Sequence, residues 1–404
     1  MDWRKNLWSL WFGVILSGAS YTMITPFLPL YVLTLGVSET AVKMWSGIIF
    51  AVTFLVGAVM APVWGRRADK VGKKRMVLRA GYSLAVVYFL GALVQNPWQL
   101  LLVRILQGFA AGFVPASMAI VASSVPPEKM GFSLGIMQTA TLTGGILGPL
   151  FGGVLSHLFG MRMSFVVAAA IIFSASLAVQ LLVTEPVGSK VAQTGGIRDD
   201  IKVALKNRVL IHMLLFLLAV QMAVMLLQPV ITLYIAELQG TLQGAELTSG
   251  IVFSLAGIAG AVAAPLWGRL GHSFGFGTIL AIAFAGAGIF NFSQFFVTNI
   301  YQFSLAQFMF GFFVAGTYPA INTIVVTNTG SNFRGRAFGL TTSANQIGSM
   351  IGPVIGGLVS SWLGIRSLFF GTGIFLFIIG LTVLWLKKQD PGLSTKTSAS
   401  QAAS

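Results

Sequence analysis

One feature restricts this chain more than any other. Twelve long, mostly apolar runs follow one another, separated by short polar segments. They fall near Leu7–Leu33, Trp45–Trp64, Val77–Val94, Trp98–Ala122, Ser133–Leu155, Ser164–Val183, Leu210–Ile235, Ser249–Trp267, Thr278–Val297, Phe303–Val326, Phe338–Ser360 and Leu368–Leu386. Roughly twenty apolar residues are what an α-helix needs to cross the hydrocarbon of a bilayer. Lipid offers no partner to open backbone groups, so helices must satisfy their own. A β-barrel calls for short alternating segments, and these runs are continuous. The expected fold is an all-α polytopic membrane protein with twelve transmembrane helices.

Composition closes the other routes. With 404 residues, 56% of them hydrophobic and 9% charged, the chain is too apolar for a soluble globule or a disordered protein. It has no cysteine, which removes thiolate catalysis, cysteine-ligated zinc and disulfides. Three histidines and ten carboxylates leave little for metal or acid–base chemistry. No catalytic residue, metal site or cofactor is expected, and the chain does not read as an enzyme. The first run is too long for a cleaved signal peptide and ends in Pro26-Phe27-Leu28-Pro29, so it is expected to be retained.

The net charge of +15 raises the question of nucleic acid, but the basic residues are distributed by topology. With both termini on the cytoplasmic side, the inner segments hold 21 basic residues, Arg66, Arg67, Lys73, Lys74 and Arg79 among them. The outer segments hold only Lys43, Arg162 and Arg366, and Arg104 falls within a run. That is a strong positive-inside bias. The expected location is a cell membrane, the bilayer is the expected partner, and no nucleic-acid partner is expected.

The two halves repeat at an offset near 203. Ala61-Pro62-Val63-Trp64-Gly65-Arg66 recurs as Ala264-Pro265-Leu266-Trp267-Gly268-Arg269, and Ser46-Gly47-Ile48 as Ser249-Gly250-Ile251. Gly148-Pro149 with Gly152-Gly153 recurs as Gly352-Pro353 with Gly356-Gly357. Six spans per repeat make the halves parallel, related by an axis along the membrane normal, the geometry of alternating access. The expected organisation is a six-helix bundle over 1–184, a cytoplasmic linker over 185–208, a second six-helix bundle over 209–388, and a disordered tail over 389–404.

Three motifs stand out. After the second run comes Gly65-Arg66-Arg67-Ala68-Asp69-Lys70-Val71-Gly72-Lys73-Lys74, read as a loop with a tight turn at its glycines and one acid among bases. In the second copy His272 stands where the acid should be. The fifth run carries Gly135, Gly144, Gly148, Pro149 and Gly152, and the eleventh repeats the spacing as Gly339, Gly348, Gly352, Pro353 and Gly356. Glycine permits close helix approach, and proline loosens a backbone hydrogen bond. The fourth run contains Arg104-Ile105-Leu106-Gln107-Gly108, and a charge at such depth is a functional candidate by default. The plainer reading is that Arg104, six residues past Trp98, snorkels to the outer interface. Its counterpart in the tenth run is Gln307.

These motifs resemble those of the major facilitator superfamily. The G-x-x-x-D-x-x-G-x-K/R loop is that superfamily's signature, and the glycine spacing is similar to its antiporter motif. The opening Trp3-Arg4-Lys5-Asn6-Leu7, Pro26 to Val32, Met44 to Ile48, Gly112-Phe113-Val114-Pro115 and Pro126-Pro127-Glu128-Lys129 resemble its twelve-span drug:proton antiporter group, of the MdtG type. The resemblance implies a secondary exporter of varied, largely hydrophobic compounds, driven by protons and working as a monomer. It implies a gating loop at Gly65, Asp69, Gly72, Lys73 and Lys74, with Asp69 latching onto the start of span eleven. It links Arg104 to proton coupling, and it places spans one, four, seven and ten around the cavity.

Those spans offer Tyr21, Gln107, Gln221, Met225, Gln228, Gln307, Tyr318 and Asn322, span five adds Gln138, and span eleven adds Asn345 and Gln346. Flexible, polarizable and amide-bearing groups suit shape-tolerant binding of a small molecule. All ten acids lie in loops, span ends or tails, so no carboxylate is available at midplane depth to take up a proton. That keeps export of a sugar or another small metabolite open as an alternative. No phosphate-binding loop is present to support direct nucleotide drive.

Overall fold

The computed structural model describes residues 3–126, 129–185, 203–330 and 333–389, apart from the side chains of Asp69, Gly131, Arg334 and Gly335. The described residues are almost wholly helical. In chain order the helices are α1 (Trp3–Thr22), α2 (Leu28–Thr34), α3 (Val42–Val71), α4 (Lys73–Leu93), α5 (Pro97–Ala110), α6 (Phe113–Ser124), α7 (Met130–Phe159) and α8 (Met161–Leu182). The second half gives α9 (Arg208–Leu227), α10 (Ile231–Gln239), α11 (Ala245–Phe274), α12 (Phe276–Ser293), α13 (Ile300–Thr327), α14 (Arg334–Leu363) and α15 (Ile365–Gln389).

Paired as α1–α2, α5–α6 and α9–α10, these helices make twelve passes among the described residues. Eleven are long and apolar enough to cross a bilayer on composition alone. The twelfth, α14, is thirty residues long but mixes in Thr341, Thr342, Asn345 and Gln346. The chain is a multi-pass membrane protein. The expected linker over 186–202 and the tail from 390 lie outside the described residues, as do Pro127 and Glu128.

Three passes are broken rather than continuous. The first is interrupted before Pro26 and Pro29, and the seventh at Gln228-Pro229, where the missing proline N–H ends the ladder. The fourth breaks at Ala111-Gly112, with Gly112 at φ 125°. Its freed carbonyls are taken by a neighbour: Arg79 of α4 donates from Nη1 to Phe109 O at 3.1 Å and from Nη2 to Ala111 O at 2.8 Å. Trp64 Nε1 adds a bond to Phe109 O at 2.9 Å, and the Arg79 guanidinium lies 3.9 Å from the centre of the Trp64 ring. Arg79, counted by the sequence among inner charges, is thus built into span three as a helix-end cap.

The described residues form two compact units, each with its own core. One draws on the first 193 residues together with Ile231–Ser254, the other on the rest up to Val230 and from Leu255 onward. In the first, Tyr31, Tyr88, Phe113 and Phe165 are fully buried, and Tyr31 donates to Gly91 O at 3.0 Å. This unit includes α10 and the start of α11 because they are stitched to it. Thr232 Oγ1 donates to Pro26 O at 2.5 Å, and Ser254 Oγ to Ile146 O at 2.7 Å. In the second unit Phe284, Phe303 and Phe369 are buried, and Asn291 bonds Thr372 at 2.5 Å.

The sequence repeat is visible as repeated bonds. Trp64 Nε1 to Phe109 O recurs as Trp267 Nε1 to Phe312 O at 2.8 Å. Asn96 caps α5 by accepting from Gln99 N at 3.0 Å, while Gln99 Oε1 accepts from Gln95 N at 2.7 Å. Asn299 and Gln302 do the same for α13, at 2.9 Å and 3.0 Å. These reciprocal caps satisfy amide groups that a helix start leaves open.

Candidate functional site

The segment read as a gating loop is mostly helix. α3 continues to Val71, so Gly65 and Asp69 are helical residues and the turn shrinks to Gly72 at φ 109°. One residue with positive φ suffices to reverse direction, and glycine takes that conformation without steric cost. A Cβ on Gly65 would meet nothing, so that glycine makes no close approach. α4 starts directly at Lys73, and its first amide groups are held by Glu185, which follows span six. Glu185 accepts from Lys73 N at 2.6 Å and Lys74 N at 3.0 Å. A carboxylate at a helix N-terminus is favoured by the macrodipole, by up to about 1 kcal/mol when exposed. Lys74 Nζ donates to Gln180 O at 2.8 Å, tying the same corner to α8. No local motif marks Glu185, because its partners lie more than a hundred residues away. The Asp69 side chain, and hence its contact with span eleven, lies outside what the structure describes.

The glycine motifs do bring helices together. A Cβ on Gly144 would sit 2.7 Å from Ile15 O, and one on Gly148 2.6 Å from Ala19 O, so α7 lies against the α1 backbone. Gly152 is tighter still, against Met23. The second copy matches: a Cβ on Gly348 would sit 2.6 Å from Leu218 O, one on Gly352 2.6 Å from Met222 O, and Gly356 meets Leu226. Pro149 and Pro353 lie inside these helices without ending them. Gly135 and Gly339 face open space and take no part in the contact.

Arg104 sits seven residues into α5, about 10 Å along the helix at 1.5 Å per residue. It is 5% exposed, so the snorkelling alternative fails. Its Nη1 donates to Gln107 Oε1 at 2.7 Å, and Gln107 Nε2 reaches Tyr88 Oη at 3.4 Å. The Phe50 ring lies 5.8 Å from the guanidinium carbon. Tyr21, half-buried on α1, is within electrostatic reach of the same charge. Gly108 explains how α5 comes so close to α3: a Cβ there would lie 2.5 Å from Thr53 O. Thr53 Oγ1 in turn donates to Arg104 O at 3.3 Å.

The second unit gathers a different set. Gln221 Oε1 accepts from Tyr318 Oη at 2.6 Å and from Asn345 Nδ2 at 3.4 Å, and its Nε2 donates to Ser349 Oγ at 2.9 Å. Helices α9, α13 and α14 thereby share a neutral amide–phenol–hydroxyl network. Gln307, the counterpart of Arg104, is 4% exposed and its Nε2 has no partner among the described residues. Met225, Gln228 and Gln346 are half-buried, Gln138 and Asn322 are exposed, and none of the five joins either network among the described residues. Sequence reasoning missed Tyr88 and Ser349, which sit among apolar and small residues with no motif to mark them.

The comparisons decide the family. The chain matches the Major Facilitator Superfamily over residues 10–242 and again over 218–403. It belongs to the Major Facilitator Superfamily. Among its relatives is the multidrug resistance protein MdtG of Proteus mirabilis (strain HI4320), 34% identical over 395 residues, covering 96% of this chain and 97% of that one. The MdtG protein of Salmonella schwarzengrund (strain CVM19633) is 36% identical over 383 residues, 93% of this chain and 94% of that one. Solved structures share the fold. The nucleoside transporter NupG superposes with a TM-score of 0.77 at 16% identity, covering 96% of this chain and 100% of that one. A bacterial homologue of the human lysosomal transporter Spinster, inward-facing and occupied, gives 0.79 at 16% identity over 96% and 97%. This superfamily is one of transporters, so the polar networks of the two units belong to a carrier of small molecules.

Proposed function

We propose that the chain is a secondary active exporter of the multidrug type, moving small, largely hydrophobic compounds by alternating access in exchange for protons. The observation that carries the reading is the likeness to MdtG proteins over more than nine-tenths of the chain. Two halves with matching glycine seams and unlike polar networks support it. In this reading 1–184 and 209–388 are the two pseudo-symmetric bundles, both termini are cytoplasmic, and a single chain is the working unit. Gly72, Lys73, Lys74 and Asp69 form the cytoplasmic gating corner. Arg104 tunes coupling, and the Gln221–Tyr318–Asn345 network contacts cargo.

The test is transport in proteoliposomes with an imposed pH gradient, read alongside the drug sensitivity of an expressing strain. Uptake into inside-out vesicles that follows the gradient and collapses with a protonophore is the expected result. Unchanged sensitivity to every compound of a broad panel, with no gradient-driven uptake, would sink the reading. A second reading, export of a hydroxyl-bearing metabolite, draws on the wholly neutral network around Gln221. Competition of dye transport by sugars would favour it.

A further inference from the structure

Arg104 carries a permanent charge, since an arginine does not give up its proton in a protein. Burying such a charge is costly unless something neutralises it and uses its N–H groups. Among the described residues nothing neutralises it, and its N–H groups are used only in part. Its ten carboxylates all lie in loops, span ends or tails, and among the described residues none lies within ion-pair distance of Arg104. Among the described residues the guanidinium makes one hydrogen bond, to the neutral Gln107, and its buried Nε–H, like that of Arg79, has no partner. Arg79, 25 residues earlier in the same unit, shows what a structural arginine does: two of its nitrogens donate to carbonyls that a helix break has left open. Arg104 meets no such need.

The surroundings of Arg104 also have the character of a binding site. Gln107 holds Nη1, which leaves the Nε side of the fork, the edge suited to an oxyanion. The phenol of Tyr21, half-buried on α1, lies within electrostatic range of the same charge and carries an O–H that could donate to an anion held there. Phe50, 5.8 Å from the guanidinium carbon, and the buried Tyr88, bonded to Gln107, make the surroundings aromatic. Two donors and no acceptor of negative charge, in an apolar frame, select an anion with a greasy body.

We infer that Arg104, with Tyr21 beside it, is a receptor for the acidic group of amphiphilic organic monoanions, so that the cargo itself provides the missing counter-ion. The inference rests on the reading of the chain as an exporter and narrows its substrates to lipophilic acids. A lipid phosphate could present the same chemistry, and the test separates the two.

The probe is a dansyl-labelled long-chain fatty acid, compared with its methyl ester, on the full-length protein in phosphatidylcholine nanodiscs at a pH where the acid is ionised. A charge-assisted contact predicts about 10–100-fold tighter binding of the acid than of the ester. Arg104→Gln should bring that ratio close to one. Arg104→Lys should keep part of it, as a point charge without the fork. Should Arg104→Gln fail to fold, Tyr21→Phe keeps the ring and should lower the ratio by about 3–10-fold, the worth of one hydrogen bond. Equal binding of acid and ester by the unaltered protein, or a preference that survives Arg104→Gln, overturns the proposal. Displacement of the acid by added phosphatidylglycerol assigns the site to a headgroup and overturns the cargo role. Proteoliposomes separate the two levels: ester transport without acid preference refutes the anion site and leaves export standing. Acid preference without transport of either compound refutes export and leaves the site.

Discussion

Spans four and ten occupy the same place in the two repeats and share their entry, although span four breaks at Ala111-Gly112 where α13 runs on unbroken. Both begin with an asparagine–glutamine cap, at Asn96 and Asn299. Both press a glycine onto a neighbouring backbone: Gly108 onto Thr53 O, and Gly311 onto Ala256 O, each 2.5 Å from where a Cβ would stand. Both receive an indole bond on the carbonyl one residue later, at Phe109 and Phe312. Between cap and glycine, however, one carries Arg104 and the other Gln307, both buried. The scaffold is thus duplicated and the chemistry is not, so the charge is not something the fold requires.

The sharpest way to break this comparison is to make the halves alike. Gln307→Arg would place a second uncompensated charge within a span, at a cost of about 3 kcal/mol. The expected outcome is a large drop in thermal unfolding temperature and in membrane yield, while Arg104→Gln is tolerated structurally. If Gln307→Arg were as stable as the unaltered protein, span ten would already hold a compensating group, and the asymmetry drawn here would be wrong.

The glycine seams should respond alike in both halves. Gly152→Val and Gly356→Val force a side chain into Met23 and Leu226, and overpacking of this kind costs about 1–3 kcal/mol. Transport should fall with stability in both variants. Gly135→Ala and Gly339→Ala meet open space, and the gain in helix propensity makes them neutral to about 1 kcal/mol stabilising. Thermal melts of the four proteins check both statements. A Gly135→Ala loss matching that of Gly152→Val would mean that the whole spacing, not one face of it, is under close contact.

The polar network of the second half can be tested by itself. Tyr318→Phe removes the 2.6 Å donor to Gln221 and leaves that oxygen with the longer bond from Asn345. A buried acceptor losing its main donor costs about 1–3 kcal/mol. The apparent affinity for hydrogen-bonding substrates should weaken while a purely apolar substrate is moved as before. Equal loss for both would assign Tyr318 to packing.

What could be read from the chain divides along the same line. The twelve passes, the repeat and the glycine faces were legible because each is periodic: a fixed run length, a fixed offset, a fixed spacing along one helix. Arg104 and Gln107 were legible as a motif, and their i, i+3 spacing already places them on one helix face. Tyr88 was not, since nothing local distinguishes a tyrosine that meets Gln107 from one that packs. The partners of Glu185 and Arg79 were not legible for a related reason. Each serves a helix end on another segment of the chain, and a count of charges by side says nothing of which backbone groups they meet. The reading of Gly65 to Lys74 as a loop failed because polar residues at the end of a long helix remain helical once outside the apolar run.

The smallest effect is also the cleanest test of the duplicated scaffold. Asn96→Ala and Asn299→Ala each remove an acceptor from the first turn of α5 or α13, at 3.0 Å and 2.9 Å from the Gln99 and Gln302 amides. Loss of such a cap costs about 1 kcal/mol. The reciprocal glutamine bonds, Gln99 to Gln95 N and Gln302 to Thr298 N, remain to hold the entry of each helix. The two melting shifts should therefore agree within about 0.5 kcal/mol, and the double variant should be additive, because the caps share no partner. A larger loss at Asn96 would show that the position of α5, and with it the register of Arg104 against Tyr88, depends on the cap in a way that α13 does not. The asymmetry of the two halves would then begin at the helix start rather than at the charge.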